Sequence, residues 1–319
     1  MPRAAIIVNP KNAAMPALRS AVRSAESASG WHPSRWFFTT VGESGGSLAA
    51  EALADEPEVL VVVGGDGTVR AVAETLQGSP TPMTIIPTGT GNLLARNLGL
   101  PLADLERAVT AAFDGHDRTI DLVSARLVRE EGEVTEHIFL AMAGIGLDAA
   151  MAVNSDVRLK SLLGWIAYVP PIARSILSNR SFGLHPRIDF RPHRTRPAHT
   201  MIIGNCGVLT GDIVLMPGAA VDDGLLDVVI LRPGRLIGWT PIGARLIMNG
   251  IVYRRGVRRR RPPRTLPSSV TAFHAQGTHF EADFDEPQLI ELDGDIVDHV
   301  TSSRFELLPG RLVIRVPKE

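Results

Sequence analysis

Residues 59–76 constrain this chain more than any other stretch. Val59, Leu60, Val61, Val62 and Val63 are all apolar, mostly β-branched, and show no polar alternation. Such a run is a strand buried on both faces, as in a parallel sheet. Gly64-Gly65-Asp66-Gly67-Thr68 follows; beyond it Val69, Val72, Ala73 and Leu76 recur at helical spacing, and Gly78 is placed to end the helix. A glycine-rich loop therefore joins a buried strand to a helix N-terminus, where N–H groups and the positive end of the helix dipole favour an anion. Asp66 and Thr68 add a carboxylate and a hydroxyl. A carboxylate beside an anion site is accounted for if a cation lies between them, and Mg²⁺ with phosphate is the obvious pair. Taken alone, the loop is equally an ordinary strand–turn–helix corner capped by Asp66.

Its neighbours add weight. Residues 4–8 read as a first parallel strand, Asn9-Pro10-Lys11-Asn12 as the turn at its carboxyl end, and Leu18, Ala21, Val22 and Ala25 as a helix face. A second strand over 35–39 leads into a glycine- and serine-rich loop beginning at Thr40, then a helix over 47–53. A fourth strand over 84–87 leads into Thr88-Gly89-Thr90-Gly91-Asn92 and a helix from Leu93; Leu105, Ala108, Val109 and Ala112 give one more. Alternating strand and helix through Phe113 predicts a doubly wound parallel sheet. Ligands bind such sheets at the carboxyl ends of the strands, and all four loops lie there.

After Gly115 the pattern changes to closely spaced strands, at 119–128, 138–143, 187–191, 201–204, 225–231, 269–275, 279–284, 288–292, 304–308 and 312–316. These predict an antiparallel sandwich or barrel, with helical insertions near 159–177 and 236–252. A chain of 319 residues is too long for one ordinary core. The predicted division is an α/β domain over 1–118, an all-β sandwich over 119–305, and a final strand over 306–319.

The net charge of −1 gives no global attraction to nucleic acid or membrane, so any such attraction must be local. One dense basic run stands out: Arg254, Arg255, Arg258, Arg259, Arg260 and Arg261 follow an apolar, helix-like stretch. A solvated loop accounts for it; a peripheral contact with an anionic membrane does too. The only cysteine, Cys206, allows no intrachain disulfide and fits a reducing cytosol. The first residues read as a strand, not a signal-peptide core.

Phosphoryl transfer needs a cradle for the donor phosphates, Mg²⁺ to neutralise charge and a base for the attacking hydroxyl. The glycine loops supply the cradle and Asp66 could hold Mg²⁺, directly or through water. Asp121, within an apolar strand, is a second acidic candidate. Asp222-Asp223-Gly224-Leu225-Leu226-Asp227 could bind a structural Mg²⁺, and Glu291-Leu292-Asp293-Gly294-Asp295 is a tight turn whose Asp293 or Asp295 could serve as a base. Serine-hydrolase, zinc-histidine, Walker and protein-kinase signatures are missing from the sequence.

Asn9-Pro10, Gly64-Gly65-Asp66-Gly67-Thr68, Pro87-Thr88-Gly89-Thr90-Gly91-Asn92, Asp223-Gly224-Leu225-Leu226-Asp227 and Asp293-Gly294-Asp295, in this order, resemble the diacylglycerol kinase catalytic family, with its bacterial lipid kinases and the related sphingosine kinases. The resemblance covers nearly the whole chain. It implies an ATP- and Mg²⁺-dependent transferase of phospholipid metabolism, a nucleotide-binding α/β domain, a β-sandwich lipid domain and a last strand, around 312–316, that returns to the first domain. It also implies a cytoplasmic protein, peripheral to the membrane, and is compatible with a homodimer. The resemblance assigns ATP to Asn9, Thr40, Gly64, Gly65, Asp66, Gly67, Thr68, Val69, Arg70, Thr90 and Asn92. It assigns Asp66 and Asp121 to a magnesium-water network. A structural magnesium falls to the Ala220 and Leu225 carbonyls and the Asp223 carboxylate, and the catalytic base to the Asp293–Asp295 turn. The sequence departs from the family at Leu93, where an acid is usual, at Arg70 and Ala71, which replace Asn and Glu, and at Asp295, which replaces Glu. Two other readings stand beside it: a soluble-substrate kinase of the NAD kinase type, which the Asn9-Pro10 start and the late Asp-Gly-Asp argue against, and a nucleotide-binding regulatory protein without catalysis.

Overall fold

A computed structural model of the chain describes residues 1–11, 14–40, 45–146, 181–210, 213–232, 244, 248–249 and 272–318. The arginine run and most of the two expected helical insertions lie outside the described residues. Two compact units result, one of Met1–Leu122 with Leu308–Glu319, the other of Val123–Leu307.

The first unit opens with β1 (Arg3–Val8), α1 (Met15–Ser29), β2 (His32–Phe38), α2 (Gly45–Leu53), β3 (Val59–Gly64) and α3 (Asp66–Thr75). It continues with β4 (Met83–Pro87), α4 (Leu93–Asn97) and α5 (Leu105–Asp114). The strands pair in parallel in the order β2-β1-β3-β4. Ala4, Ile6, Val8, Val59, Val61 and Val63 pack with Leu18 and Val22 of α1 and Ala108, Val109 and Phe113 of α5. Strand alternation sends Ala5, Ile7, Leu60 and Val62 to the opposite face, where α2 meets β1 and α3 meets β3. Cover on both faces is why the run at 59–63 carries no polar residue. Val8 stands opposite Val63 and Gly64 opposite Pro87, so β1, β3 and β4 end in line and deliver their loops to one edge.

The chain leaves this unit within β5 (His116–Val128). The second unit holds β6 (Val134–Phe139), β7 (Met142–Gly146), β8 (Phe182–Ile188), β9 (Arg191–Pro192), β10 (Arg196–Ala198) and β11 (Thr200–Gly204). After these come β12 (Leu226–Leu231), β13 (Ala272–Gly277), β14 (His279–Leu292) and β15 (Asp295–Val316), which carries the chain back into the first unit. Antiparallel pairing runs β13-β12-β11-β7-β14, with β8 and β15 also paired to β14. Alternate residues such as Val123, Ala125, Leu127, Met201, Ile203, Val228, Ile230, Phe280 and Phe305 build one apolar core.

Four sequence expectations are corrected here. Residues 279–284 and 288–292 are one strand, β14, whose pairing with β15 shifts register between Asp283 and Gln288. Residues 138–143 are two strands, because the chain breaks at Leu140 and Ala141 to turn their N–H groups to Asp293. Residues 187–191 are not one strand but the end of β8, a turn and the start of β9: the chain reverses at Asp189 and Phe190, whose φ values are 47° and 65°. Residues 304–308 and 312–316 are one strand, β15; Gly310, at φ 62°, carries the bend, and its N–H goes to Asp121 Oδ1 at 2.8 Å. The end of β15 lies beside β4, with Ile314 opposite Met83, and Thr84 Oγ1 donates to the Arg315 carbonyl.

Candidate active site

In the first unit the two glycine loops interlock. Gly65 caps α3 in extended conformation, and Val69 N–H makes the first intrahelical bond, to the Gly65 carbonyl. The amides of the preceding turn thus stand at the helix N-terminus, the position that suits an anion. Thr88 N–H donates to the Gly64 carbonyl, and a Cβ on Gly89 would lie 2.6 Å from Gly65 Cα. Only two glycines let the loops touch backbone to backbone. Gly89→Ala is therefore expected to force the loops apart and lower the melting temperature by several degrees; thermal denaturation of the variant checks this.

Asp66 is the clasp between the loops. Its Oδ2 accepts from Asn92 N–H at 2.7 Å and its Oδ1 from Leu93 N–H at 2.6 Å. Gly91 has no room for a Cβ, which would sit 2.6 Å from Asp66 Oδ2. Asn92 adopts the left-handed conformation at φ 49° and holds Gly89 twice, accepting from its N–H and donating to its carbonyl. Asn92 thus shapes the loop from within. Val69 faces away: its side chain is buried in the core. Asn9 Oδ1 accepts from Lys11 N–H, and Asn9 N–H donates to the Val63 carbonyl, so this turn lies beside the end of β3. Thr40 and Thr90 are exposed, and Arg70 is half-buried on α3.

Three residues escape the sequence reading. Arg96 Nε donates to the Gly91 carbonyl and Asn97 Nδ2 to the Leu93 carbonyl, both bracing the second loop. Thr88 Oγ1 is buried with no hydrogen-bond partner among the described residues. Polar residues one helical turn beyond a glycine loop are the signal that could have pointed to the first two. Asp121 is buried and accepts from Gly310 N–H, within the first unit.

In the second unit Asp293 and Asp295 part company. Asp293 is 5% exposed; its Oδ2 accepts from Leu140 N–H, and its Oδ1 from Ala141 and Met142 N–H. With Gly294 it makes the turn, both at positive φ, 51° and 89°. Asp295 is exposed at the start of β15. The loop holding Ala220, Asp223 and Leu225 is closed by Asp223 Oδ1 accepting from Leu225 N–H at 3.0 Å, with Gly224 at φ 74°. Asp227 is wholly buried, bonded to His274 and Gln276. Among the described residues no cluster of three or more His, Cys, Asp or Glu side chains is placed to hold a metal, and no helix is long and apolar enough to cross a membrane.

The sequence matches the diacylglycerol kinase catalytic domain over residues 3–125 and the YegS C-terminal NAD kinase beta sandwich-like domain over residues 141–238. A curated protein of Pseudomonas savastanoi pv. phaseolicola, named "Probable lipid kinase YegS-like", is 32% identical over 99% of this chain and 94% of its own. The chain belongs to the diacylglycerol kinase catalytic family. A second family relative under the same name, from Pseudomonas aeruginosa PAO1, is 33% identical over 85% of this chain and 80% of its own. The fold is likewise that of the family: a solved diacylglycerol kinase of Bacillus anthracis strain Sterne superposes with a TM-score of 0.66 at 20% identity, covering 98% of this chain and 96% of that one. Yeast NADH kinase shares the architecture more distantly, with a TM-score of 0.52 at 9% identity over 99% of this chain and 84% of its own. Membership of the diacylglycerol kinase catalytic family makes this protein a lipid kinase.

Proposed function

We propose that the protein transfers the γ-phosphate of ATP, in the presence of Mg²⁺, to a hydroxyl of a membrane lipid such as diacylglycerol. The observation that carries this reading is the clasped pair of glycine loops. They hold a helix N-terminus open at the edge where three parallel strands end. The residues fit the groups required. The close approach of Gly65 and Gly89 leaves bare backbone for phosphate oxygens, and Thr88 Oγ1 offers an unused polar atom in the same loop. Each Asp66 oxygen accepts a backbone amide, and a carboxylate oxygen has capacity to accept from metal-bound water as well. Mg²⁺ is commonly held by one or two carboxylates together with substrate phosphates, so Asp66 would suffice as the carboxylate of the first loop. When bound, Mg²⁺ would neutralise charge on the transferring phosphoryl group.

Asp295 is the better placed base. A base must turn a lone pair to the substrate hydroxyl, and the Asp293 carboxylate is committed to three amides. Asp293 fixes the turn that presents Asp295. The Ala220 and Leu225 carbonyls with the Asp223 carboxylate would hold a structural Mg²⁺, with Asp223 already drawn into the loop. Asp121 would join the magnesium-water network of the first unit. Asp121→Asn keeps an oxygen for Gly310 N–H but loses the charge. It is expected to leave the melting temperature unchanged and lower turnover about tenfold, raising the Mg²⁺ concentration needed for half activity. Unchanged Mg²⁺ dependence would leave Asp121 with its β15 contact alone.

The decisive experiment is transfer of labelled γ-phosphate into a total lipid extract, with identification of the product, alongside NAD as a soluble acceptor. A labelled lipid supports the reading, and labelled NADP would replace it with a NAD kinase activity. ATP binding without transfer to any acceptor would make the protein a nucleotide-binding regulator.

A further inference from the structure

The reversal between β8 and β9 carries an unusual residue. Asp189 and Phe190 both have positive φ, a conformation that glycine and asparagine adopt easily and a bulky side chain does not. Phe190 is nevertheless 74% exposed. The turn is locked from below. Asp189 Oδ1 accepts from Thr278 N–H at 2.9 Å, Thr278 Oγ1 at 3.2 Å and His279 N–H at 3.1 Å, and a Cβ on Gly277 would lie 2.9 Å from the other carboxylate oxygen. The Phe190 ring stacks on the buried His279 ring at 4.3 Å and 19°. His279 is held in turn by Glu281 at 2.9 Å, and Glu281 also by Arg187 and Arg304. The His279 hydrogen bond, foremost, keeps the Glu281 carboxyl below the usual carboxylate range. One ring face is thus fixed on the protein and the rest is presented to solvent.

The chain just beyond Phe190 is basic, although Glu306 stands opposite His279 on the neighbouring strand. Arg191, His193 and Arg194 are exposed, and Arg191 and Arg194 form no ion pair among the described residues. On the facing strand Glu281 and Asp283 are paired with Arg187 and Asp285 is hydrogen-bonded to His185, while Glu286 is exposed farther along the strand. Asp189 turns its charge inward to its three donors. We propose that this tip docks the protein on an anionic lipid bilayer, with Phe190 entering the interface and Arg191 and Arg194 meeting the headgroups. Exposed aromatic rings beside arginines suit that boundary, where each part finds its own solvent. The docking rests on the lipid-kinase reading only for its purpose, access to a membrane-borne hydroxyl.

The test uses the full chain, with the 254–261 arginines intact, and flotation with vesicles of phosphatidylcholine or of phosphatidylcholine mixed with phosphatidylglycerol. The wild type is expected to float with the mixed vesicles, less so as salt rises. Phe190→Asn, which accepts the left-handed backbone, and the double variant Arg191→Ser, Arg194→Ser should each lower partitioning roughly tenfold at low salt. Their melting temperatures, and phosphorylation of lipid dispersed in detergent micelles, should stay at the wild-type level. Wild-type partitioning of both variants, binding indifferent to salt, or a change confined to self-association would overturn the proposal. Absence of phosphorylation in micelles by every form would instead count against the lipid-kinase reading, while flotation still judges the tip.

Discussion

Asp66→Ala is expected to lower turnover about 10³-fold and the melting temperature by about 5–10 °C. The first effect follows if Asp66 organises metal-bound water at the ATP phosphates. The second follows from the clasp: both carboxylate oxygens accept backbone N–H groups of the opposite loop, and each buried donor left unmatched costs about 1–3 kcal/mol. The two effects can be separated. Asp66→Asn keeps one acceptor for the loop but sets an amide NH₂ against the other N–H, so it should recover part of the stability and none of the metal affinity. Near-wild-type turnover in a folded Asp66→Ala protein would refute the assignment.

The turn between β14 and β15 yields the second large effect. Asp295→Asn should reduce turnover by about 10²–10⁴ with ATP affinity and melting temperature unchanged, the loss expected when a general base is removed. Asp293→Asn should behave differently. Three backbone N–H groups converge on that carboxylate, and an amide can serve them only in part, so stability falls first, by about 1–3 kcal/mol for each donor left unmatched. Activity lost in Asp293→Asn would be regained on cooling if the variant refolds. A stable but inactive Asp293→Asn beside an active Asp295→Asn would transfer the role of base to Asp293.

Much of the first unit was readable because its signals are local. The run at 59–63 announces a doubly covered strand, and glycine, threonine and asparagine in the following loops carry the turn chemistry with them. What escaped depends on partners distant in sequence. Asp293 meets the amides of residues 140–142, which break a run that reads as one strand. Pro309 and Gly310 look like a strand terminus, yet β15 continues through them because Asp121 takes up the Gly310 N–H. The reversal at Asp189 and Phe190 has neither glycine nor asparagine to mark it; its stability comes from Thr278 and His279, contributed by the link from β13 to β14. In the cradle, the glycines were visible but the clasp was not: Asp66 reads as a metal ligand, while its contact with Asn92 and Leu93 requires two loops to be brought side by side.

The return of β15 has a consequence for how the protein is made. Residues 308–316 complete the first unit: Ile314 lines up with Met83, the Arg315 carbonyl accepts from Thr84, and the Arg315 guanidinium grips Asp117 with two bonds. On the ribosome domains generally fold as units from the N-terminus onward, but here the earliest residues to emerge must wait for some of the last. Until then the β4 side of the nascent sheet has no β15 beside it, a template for mispairing with neighbouring chains. Released chains truncated after Leu307 should therefore engage chaperones through their N-terminal third, even after the second unit has formed.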